Sequence, residues 1–441
     1  MIEPWALAVI IFGSMFLLLI IGLPVAFTLG GLSLAVGYFV WNGTPGFFSF
    51  TLGSIGKLSE FAITALPLFI LMAAVLQYSG LADDLYELVY RWLGGVKGGL
   101  AIGSTVISAI FAAMVGISTV STATLGMIAM PSMIKRNYSK KLACGCICAG
   151  GALGILIPPS IMMIIYGSEA EVSIGKLFFG GVIPGILLTF IYIIYIGIRC
   201  QIRPEDGPPL PAEERYTLSE KLEVLKSVLL PLALIVLVLG VIYFGVATPT
   251  EAAGIGLVGS LFCALLKRQL NRDNLKKMFQ MGMSVNAMVC WIMIGAVAYS
   301  RLVTVSGVGE LLCGFINELD INRWIVLILM QLLFFLLGMV LDPAGIVLIT
   351  LPIFMPVVHA LGFDPLWFGI LFVINMEMAY LTPPFGFNLF IMRGIASKHL
   401  TIGEIYSSIW PFVGCQVAVL VLVMVFPEIA TWLPNLMINK D

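Results

Sequence analysis

Two Pro-Pro pairs inside apolar segments are the residues of this chain best suited to build a binding site. The first is Pro158-Pro159 and the second is Pro383-Pro384. Proline lacks a backbone N–H and clashes with the preceding helical turn, so each pair should break its helix and leave carbonyl oxygens without partners. Such carbonyls and half-helix C-termini can bind a cation such as Na⁺, while half-helix N-termini attract anions.

Polar side chains near the second pair could add ligands. Thr382 and Asn388 flank it, and we favour a role in a site over hydrogen bonding back to a helix carbonyl. Glu377 lies about one turn before the break in an otherwise apolar segment. It either pairs with a polar neighbour or takes part in ion coupling, and both interpretations stay open.

Two other apolar segments are interrupted by small and polar residues. Residues 97–141 are interrupted at 116–122, and residues 325–360 are interrupted at 338–345. A single membrane span needs no polar centre, whereas a re-entrant helical hairpin needs a non-helical tip that faces protein or a cavity. Each interruption is therefore predicted to be the tip of a helical hairpin.

The side chains at these tips have two possible roles. Four hydroxyl groups occupy the first tip, on Ser118, Thr119, Ser121 and Thr122. They could cap the returning helix, ligate Na⁺ and substrate, or do both. At the second tip, Asp342 before Pro343 suits a helix N-cap. Direct binding of a cation or a proton is the alternative, because an acid at membrane depth is costly unless it is used.

The amino-acid composition indicates that these segments lie in a lipid bilayer rather than in water. Of 441 residues, 60% are hydrophobic and only 11% are charged, and the mean hydropathy is +1.07. In soluble globular proteins, about a quarter of the residues are charged. Repeated apolar runs of about 20 residues favour helical spans over a barrel. The sequence therefore predicts an all-α polytopic membrane protein.

Several function classes are disfavoured by the same sequence. A net charge of −1 without a long basic cluster argues against a nucleic-acid partner. No phosphate-binding loop of the Gly-x-x-x-x-Gly-Lys-Ser/Thr type occurs, and no grouping of nucleophile, acid and base is apparent. We therefore expect neither an ATPase nor another enzyme.

The two halves of the chain contain the same elements in the same order: an amphipathic arm, a hairpin with a polar tip and a broken helix. Pro131 precedes Pro158 by as many residues as Pro356 precedes Pro383. This matched spacing predicts an internal repeat.

Charges predict that the repeats are inverted. The loop after the first hairpin contains Lys135, Arg136, Lys140 and Lys141. The equivalent loop at 359–364 has no Lys or Arg. The positive-inside rule places the first loop in the cytoplasm and the second on the opposite side. Inverted repeats with discontinuous helices are typical of secondary transporters.

The predicted organisation follows from these elements. It comprises N-terminal scaffold helices at 1–60, repeat 1 at 61–198, a cytoplasmic connector at 199–226, scaffold helices at 227–283, repeat 2 at 284–426 and a tail at 427–441. The arms lie at 79–93 and 307–317, the hairpins at about 97–135 and about 322–360, and the Pro-broken helices at about 142–166 and about 364–396. Whether residues 5–41 form two crossings or one kinked helix stays open.

These motifs together resemble a known family. Residues 116–131, 135–141, 157–160, 341–343 and 382–390 are similar to the DctM-like large membrane subunit of tripartite ATP-independent periplasmic (TRAP) transporters. The resemblance covers nearly the whole chain. It implies an elevator-type fold in a bacterial or archaeal inner membrane and Na⁺-driven uptake of an organic acid. It also implies two partners, a periplasmic substrate-binding protein (DctP-like) and a small four-helix membrane subunit (DctQ-like).

The resemblance also implies which residues form the sites. Na⁺ would bind at the tips and breaks, near Gly116, Ser118, Gly154, Ile157, Met339, Asp342, Thr382 and Pro383. Substrate would lie between the tips and Asn388, with Ser118, Thr119, Ser121 and Thr382 as further candidates. We expect an importer of small carboxylates or sulfonates. A stand-alone Na⁺- or H⁺-coupled organic-anion carrier is the alternative, and a channel is less favoured because no pore-lining ring of charges is visible.

Overall fold

The structure is a computed structural model that describes all residues except 1–3, 41–42, 215, 309–313, 315–320, 340, 385, 398–399 and 438–441. Every regular element in the described part is helical. The helices of the first half are α1 Pro4–Ile20, α2 Val25–Val40, α3 Pro45–Leu58, α4 Ala65–Gln77, α5 Leu81–Leu93, α6 Gly99–Val115, α7 Ser118–Lys135, α8 Lys140–Ala152, α9 Ile161–Glu169 and α10 Ile174–Ile202. Those of the second half are α11 Leu218–Tyr243, α12 Pro249–Leu266, α13 Arg272–Val305, α14 Arg323–Gly338, α15 Pro343–Ala360, α16 Pro365–Ala379, α17 Phe387–Ala396, α18 Ile402–Val425 and α19 Glu428–Asn435.

The all-α polytopic membrane fold is confirmed. Six of the described helices, α10, α11, α12, α13, α15 and α18, are long and apolar enough to cross a bilayer. A seventh span is possible if α3 and the segment Phe61–Gln77, which meet at a bend of 59°, count as one broken crossing. The segment after the bend begins with a short 3₁₀ turn, Phe61–Thr64.

Both polar interruptions separate two helices. Gly116 and Ile117 alone lie between α6 and α7, and residues 339–342 lie between α14 and α15. Both Pro-Pro pairs lie in non-helical segments, the first between α8 and α9 and the second between α16 and α17. Both Pro-Pro peptide bonds are cis. The two repeated units, each a hairpin and a broken helix, are thus present in the fold.

The broken helix of each unit packs against helices of the other unit. The second half of the first broken helix, α9, packs against α15 of the second hairpin. The second half of the second broken helix, α17, packs against α7 of the first hairpin and against α8. Each break is therefore enclosed partly by the other repeat.

Small residues allow α8 to lie deep in this core. A Cβ at Gly145 would meet the Ser408 carbonyl oxygen of α18 at 2.5 Å, and one at Gly151 would overlap the Thr122 hydroxyl of α7. Close backbone approach through small residues is a common way to pack helices in a membrane. It places α8 against both the first hairpin and α18.

The connector and the first hairpin's open end lie on the same face of the molecule. Arg136 forms an ion pair with Glu214 and donates a hydrogen bond to the Tyr90 hydroxyl at 2.6 Å. The amide of Leu210 donates to the Gly94 carbonyl. Helices α10 and α11 extend into the predicted connector 199–226, to Ile202 and from Leu218, and the residues between them include two short 3₁₀ turns, Pro204–Asp206 and Ala212–Glu214.

The arms differ in how far the structure describes them. The first arm is α5, the amphipathic helix that the sequence predicts, and it buries Leu81, Leu85 and Val89. The second predicted arm, 307–317, falls mostly outside the described residues. The described part of residues 5–41 forms two separate helices, α1 and α2, divided at residues 21–24.

Candidate functional site

The first tip lies directly against the first break. A Cβ at Gly116 would overlap the carbonyl oxygen of Pro159, and one at Gly154 would lie 3.1 Å from the Ser118 nitrogen. Gly116 also has a φ of +64°, a conformation that L side chains rarely adopt. Two of the candidate Na⁺ residues, Gly116 and Gly154, therefore allow the tip and the break to come close because they lack a side chain.

Ser118 and Asn388 join the first tip to the second broken helix. The Ser118 hydroxyl donates to Asn388 Oδ1 at 3.0 Å, and Asn388 Nδ2 donates to the Cys148 carbonyl of α8 at 3.1 Å. Both Ser118 and Asn388 are fully buried. One amide side chain thus connects both repeats at the point where α7 and α17 begin.

Backbone carbonyls are available in both breaks. The carbonyl oxygens of Ile157, Pro158 and Pro159 in the first break accept no hydrogen bond from any residue that the structure describes, and the same holds for Thr382 and Pro383 in the second. Burying unpaired carbonyls is unfavourable unless a ligand or water satisfies them. These oxygens have the chemistry that a hard cation requires.

The second tip contacts the second broken helix. A Cβ at Gly338 would overlap the Ala379 side chain. The Asp342 carboxylate accepts a hydrogen bond from the Ala344 amide at 3.0 Å, and Pro343 follows as the first helical residue of α15. Asp342 therefore caps α15. Met339, half-buried, caps the end of α14 and its amide donates to the Phe335 carbonyl.

The remaining candidate hydroxyls differ in their partners. Ser121 donates to the Ile117 carbonyl at 3.2 Å, and Thr382 donates to the Met378 carbonyl at 2.7 Å. The structure thus shows for Thr382 the back-bonding that the sequence analysis ranked second, although its oxygen keeps lone pairs for a ligand. Thr119 is half-buried at the tip, and the buried Thr122 hydroxyl has no partner among the described residues.

Sequence reasoning missed a polar link beside the second tip. Asn375 Nδ2 donates to both the main-chain oxygen and the side-chain Oε1 of Gln331, at 2.6 and 2.9 Å. This link fastens α14 to α16. Polar residues in apolar runs were the available signal, but nothing in the sequence pairs them. A groove of about 660 Å³ between α14, α16 and α18 includes these two residues and none of the candidate site residues.

A family model and several relatives match the chain. Residues 12–429 match the model described as "Tripartite ATP-independent periplasmic transporter, DctM component". The "C4-dicarboxylate TRAP transporter large permease protein DctM" of Pseudomonas aeruginosa is 33% identical over 377 residues, covering 85% of this chain and 87% of that protein. The protein of the same name from Rhodobacter capsulatus is 32% identical and covers 98% of this chain and 99% of its own length.

Other relatives bear other names. The "Isethionate TRAP transporter permease protein DctMQ" of Oleidesulfovibrio alaskensis is 29% identical, covering 95% of this chain and 65% of that protein. The sialic acid large permease SiaM of Vibrio cholerae is 27% identical over 96% of this chain and 97% of its own length.

A solved structure has the same fold at low identity. The YdaH transporter of Alcanivorax borkumensis superposes with a TM-score of 0.67 at 15% identity, covering 95% of this chain and all of that one. The order of hairpins and breaks, the match over nearly the whole chain and the full-length relatives lead to one conclusion. This chain belongs to the family of DctM components, the large permeases of tripartite ATP-independent periplasmic transporters.

Proposed function

We propose that this chain is the transporting subunit of a Na⁺-coupled importer of small organic acids that receives substrate from a periplasmic binding protein. The relatives are TRAP permeases, so transport rather than enzymatic catalysis is the activity of the family. Different features of the chain support the coupling ion, the substrate class and the elevator motion.

One observation carries the proposed ion site. The first tip, the first break and the second broken helix meet through Gly116, Ser118 and Asn388, beside carbonyls that accept no hydrogen bond from described residues. Oxygen ligands from separate segments allow a cation to bind only when those segments are assembled. Na⁺ binding would therefore order the tip against the breaks and prepare the substrate site.

Substrate class is suggested by the relatives and by the helix ends. Relatives are named for C4-dicarboxylates, isethionate and sialic acid, all of which are organic acids. Helices α7, α9, α15 and α17 each begin at a tip or a break. Their N-terminal N–H groups favour an anionic ligand. We therefore propose that a carboxylate or sulfonate binds between the tips and Asn388.

Family membership also supports a proposal for the partners and the location. The name of the isethionate relative joins M and Q, and this chain covers only 65% of that protein, which leaves room for a fused second component. We propose that a separate small DctQ-like membrane subunit binds this chain and that a DctP-like binding protein delivers substrate. The chain would lie in a bacterial or archaeal inner membrane with the connector in the cytoplasm, because the connector packs against the basic loop after α7.

The transport motion that we propose is an elevator, in which the hairpins and broken helices move against the remaining helices. An ionic contact crosses between these parts. Lys57 of α3 forms an ion pair with Glu169 of α9 at 3.5 Å, and Glu60 accepts a hydrogen bond from the Ser168 hydroxyl. Movement of α9 would have to break these contacts.

Reconstituted uptake tests the proposal. Proteoliposomes containing this chain and the small subunit, supplied with the binding protein, should accumulate an organic acid only under an inward Na⁺ gradient. A proton gradient of equal size, without Na⁺, should not replace it. Uptake of free substrate without the binding protein would instead support a stand-alone carrier.

A further inference from the structure

A second group of buried polar side chains lies away from the tips. We define the Glu377 cluster as Glu377 of α16, Gln416 of α18 and Tyr192 of α10. All three side chains are completely buried. Gln416 lies beside both Glu377 and Tyr192. Because α10, α16 and α18 all pack on one another, the cluster occupies the place where the two repeats meet.

None of the cluster's polar atoms forms a hydrogen bond of good geometry with a described residue, although Gln416 lies within reach of both Glu377 and Tyr192. This holds for both carboxylate oxygens of Glu377, both amide atoms of Gln416 and the phenol oxygen of Tyr192. A buried carboxylate that lacks both hydrogen bonds and a counter-charge is strongly unfavourable. A bound cation or a proton on Glu377 would remove this cost.

The helices around Glu377 provide no positive charge for it. Helices α9, α10, α14, α15, α18 and α19 pack against α16, and their charged or imidazole groups lie in the first or last turn: Glu169, Lys176, Arg199, Arg323, His359, Glu404 and Glu428. The other titratable side chains described on these helices are Tyr166, Tyr192, Tyr195, Cys200, Tyr406 and Cys415. Three of the tyrosines have partners elsewhere: Tyr166 contacts Pro365, Tyr195 contacts Arg199, and Tyr406 contacts Pro384. Of the cysteines, Cys200 lies beside Gly98 and Gly207, and Cys415 lies near Tyr192. No described ion pair includes Glu377.

We propose that Glu377 is a proton-binding site, in which the protonated carboxyl donates a hydrogen bond to Gln416 Oε1 beside the Tyr192 hydroxyl. The protonated carboxyl of Glu377 is one hydrogen-bond donor and needs one acceptor, which Gln416 Oε1 provides. A metal ion is a poorer fit, because the cluster offers four side-chain oxygens on three helices that are continuous at these residues. Hard cations usually take six or more oxygen ligands.

Loss of this proton would place an unpaired charge between the repeats. Its effect on uptake rests on the proposed transport function, since α16 belongs to the second broken helix. We expect transport by the wild-type chain to decline at alkaline pH, when Glu377 ionises. The proton itself can be detected without any transport assay.

Infrared spectroscopy of the purified chain with its small subunit tests protonation directly. At neutral pH the C=O stretching band of a buried protonated carboxylic acid should be present in the wild type and lost in Glu377→Gln. Asp342→Asn is the matched control, because it removes another acid of the apolar region, and it should keep the band assigned to Glu377. An unchanged spectrum in Glu377→Gln would show that Glu377 is ionised and would overturn the proposal.

Uptake at several pH values provides the second readout. Glu377→Gln resembles the protonated acid in shape and charge, so it should keep Na⁺-driven uptake at neutral pH and lose the decline at alkaline pH. Loss of Na⁺ binding in a folded Glu377→Gln protein would overturn the proposal in favour of a carboxylate ligand for Na⁺. If the wild type shows no uptake at all, the proposed function fails, and the infrared band still decides the protonation of Glu377.

Discussion

The two tips differ in what their polar side chains contact. At the first tip, Ser118 bonds to Asn388 in the other repeat. At the second tip, Asp342 bonds to the amide of Ala344 in its own helix. Two polar tips of similar sequence character therefore have different structural roles. The first tip connects the repeats. At the second tip, the described contact of Asp342 stabilises the start of α15 instead.

The largest expected effect comes from Gly116→Ala. Its new Cβ would overlap the Pro159 carbonyl at a positive φ, so the tip must move away from the first break. Overpacking of this kind costs about 1–3 kcal/mol, which corresponds to a loss of Na⁺ affinity of about fivefold to about 150-fold if the strain is relieved in the Na⁺-free state. Titration of uptake rate against Na⁺ measures it.

Gly338→Ala is the matched control at the second tip. Its Cβ would overlap a side chain, Ala379, rather than a carbonyl that we propose as a ligand. We expect a lower melting temperature but a smaller change in Na⁺ affinity than in Gly116→Ala. Equal losses of affinity in the two variants would contradict the difference between the tips.

Ser118→Ala should have the next largest effect. It leaves the buried Asn388 Oδ1 without its donor, at a cost of about 1–3 kcal/mol in stability. A double-mutant cycle with Asn388→Ala should give a coupling energy of about 1 kcal/mol in thermal unfolding. Ser121→Ala, which removes only a bond to the Ile117 carbonyl of the same tip, is the control and should show no coupling to Asn388. Additivity of Ser118→Ala and Asn388→Ala would break the proposed connection.

Asp342 separates capping from ion binding. Asp342→Ala should lower stability by about 1 kcal/mol, because the Ala344 amide loses its cap, while Asp342→Asn should largely retain it. If Asp342 also ligates Na⁺, both variants weaken Na⁺ affinity because both lack the charge. Wild-type Na⁺ affinity in Asp342→Asn, measured by uptake, would leave capping as the only role.

The smallest expected effect is at the open end of the first hairpin, where Arg136 and Glu214 form an ion pair. The Arg136 guanidinium holds the pKa of the Glu214 carboxyl below its usual range. A carboxyl whose pKa is lowered by folding stabilises the fold above its unfolded pKa, and this contribution is lost as the pH falls through the folded pKa. Glu214→Gln should therefore reduce the melting temperature slightly at neutral pH and not at acidic pH, since solvent screens this exposed pair. An equal reduction at both pH values would contradict the ionic origin.

Much of the fold could be predicted from the sequence. Proline chemistry located both breaks, and polar residues in apolar runs located both tips, because these signals are local. The exact helix ends beside the connector could not be predicted, because α10 continues to Ile202 and α11 begins at Leu218 within charged sequence.

The site was predicted less completely for the same reason. The candidate residues Gly116, Gly154, Ser118 and Asn388 do come together, but the bond between Ser118 and Asn388 joins positions far apart in the chain. The link between Gln331 and Asn375 and the proximity of Glu377 to Gln416 are equally non-local. A single sequence contains the polar residues but not their pairing.

Equilibrium binding of radioactive Na⁺ to the purified chain with its small subunit tests the central claim most directly. If the first tip and the two breaks form the Na⁺ site, the wild type should bind Na⁺ saturably, Gly116→Ala should bind it much more weakly, and Gly338→Ala should remain closer to the wild type. Undiminished binding by a folded Gly116→Ala protein would contradict the claim.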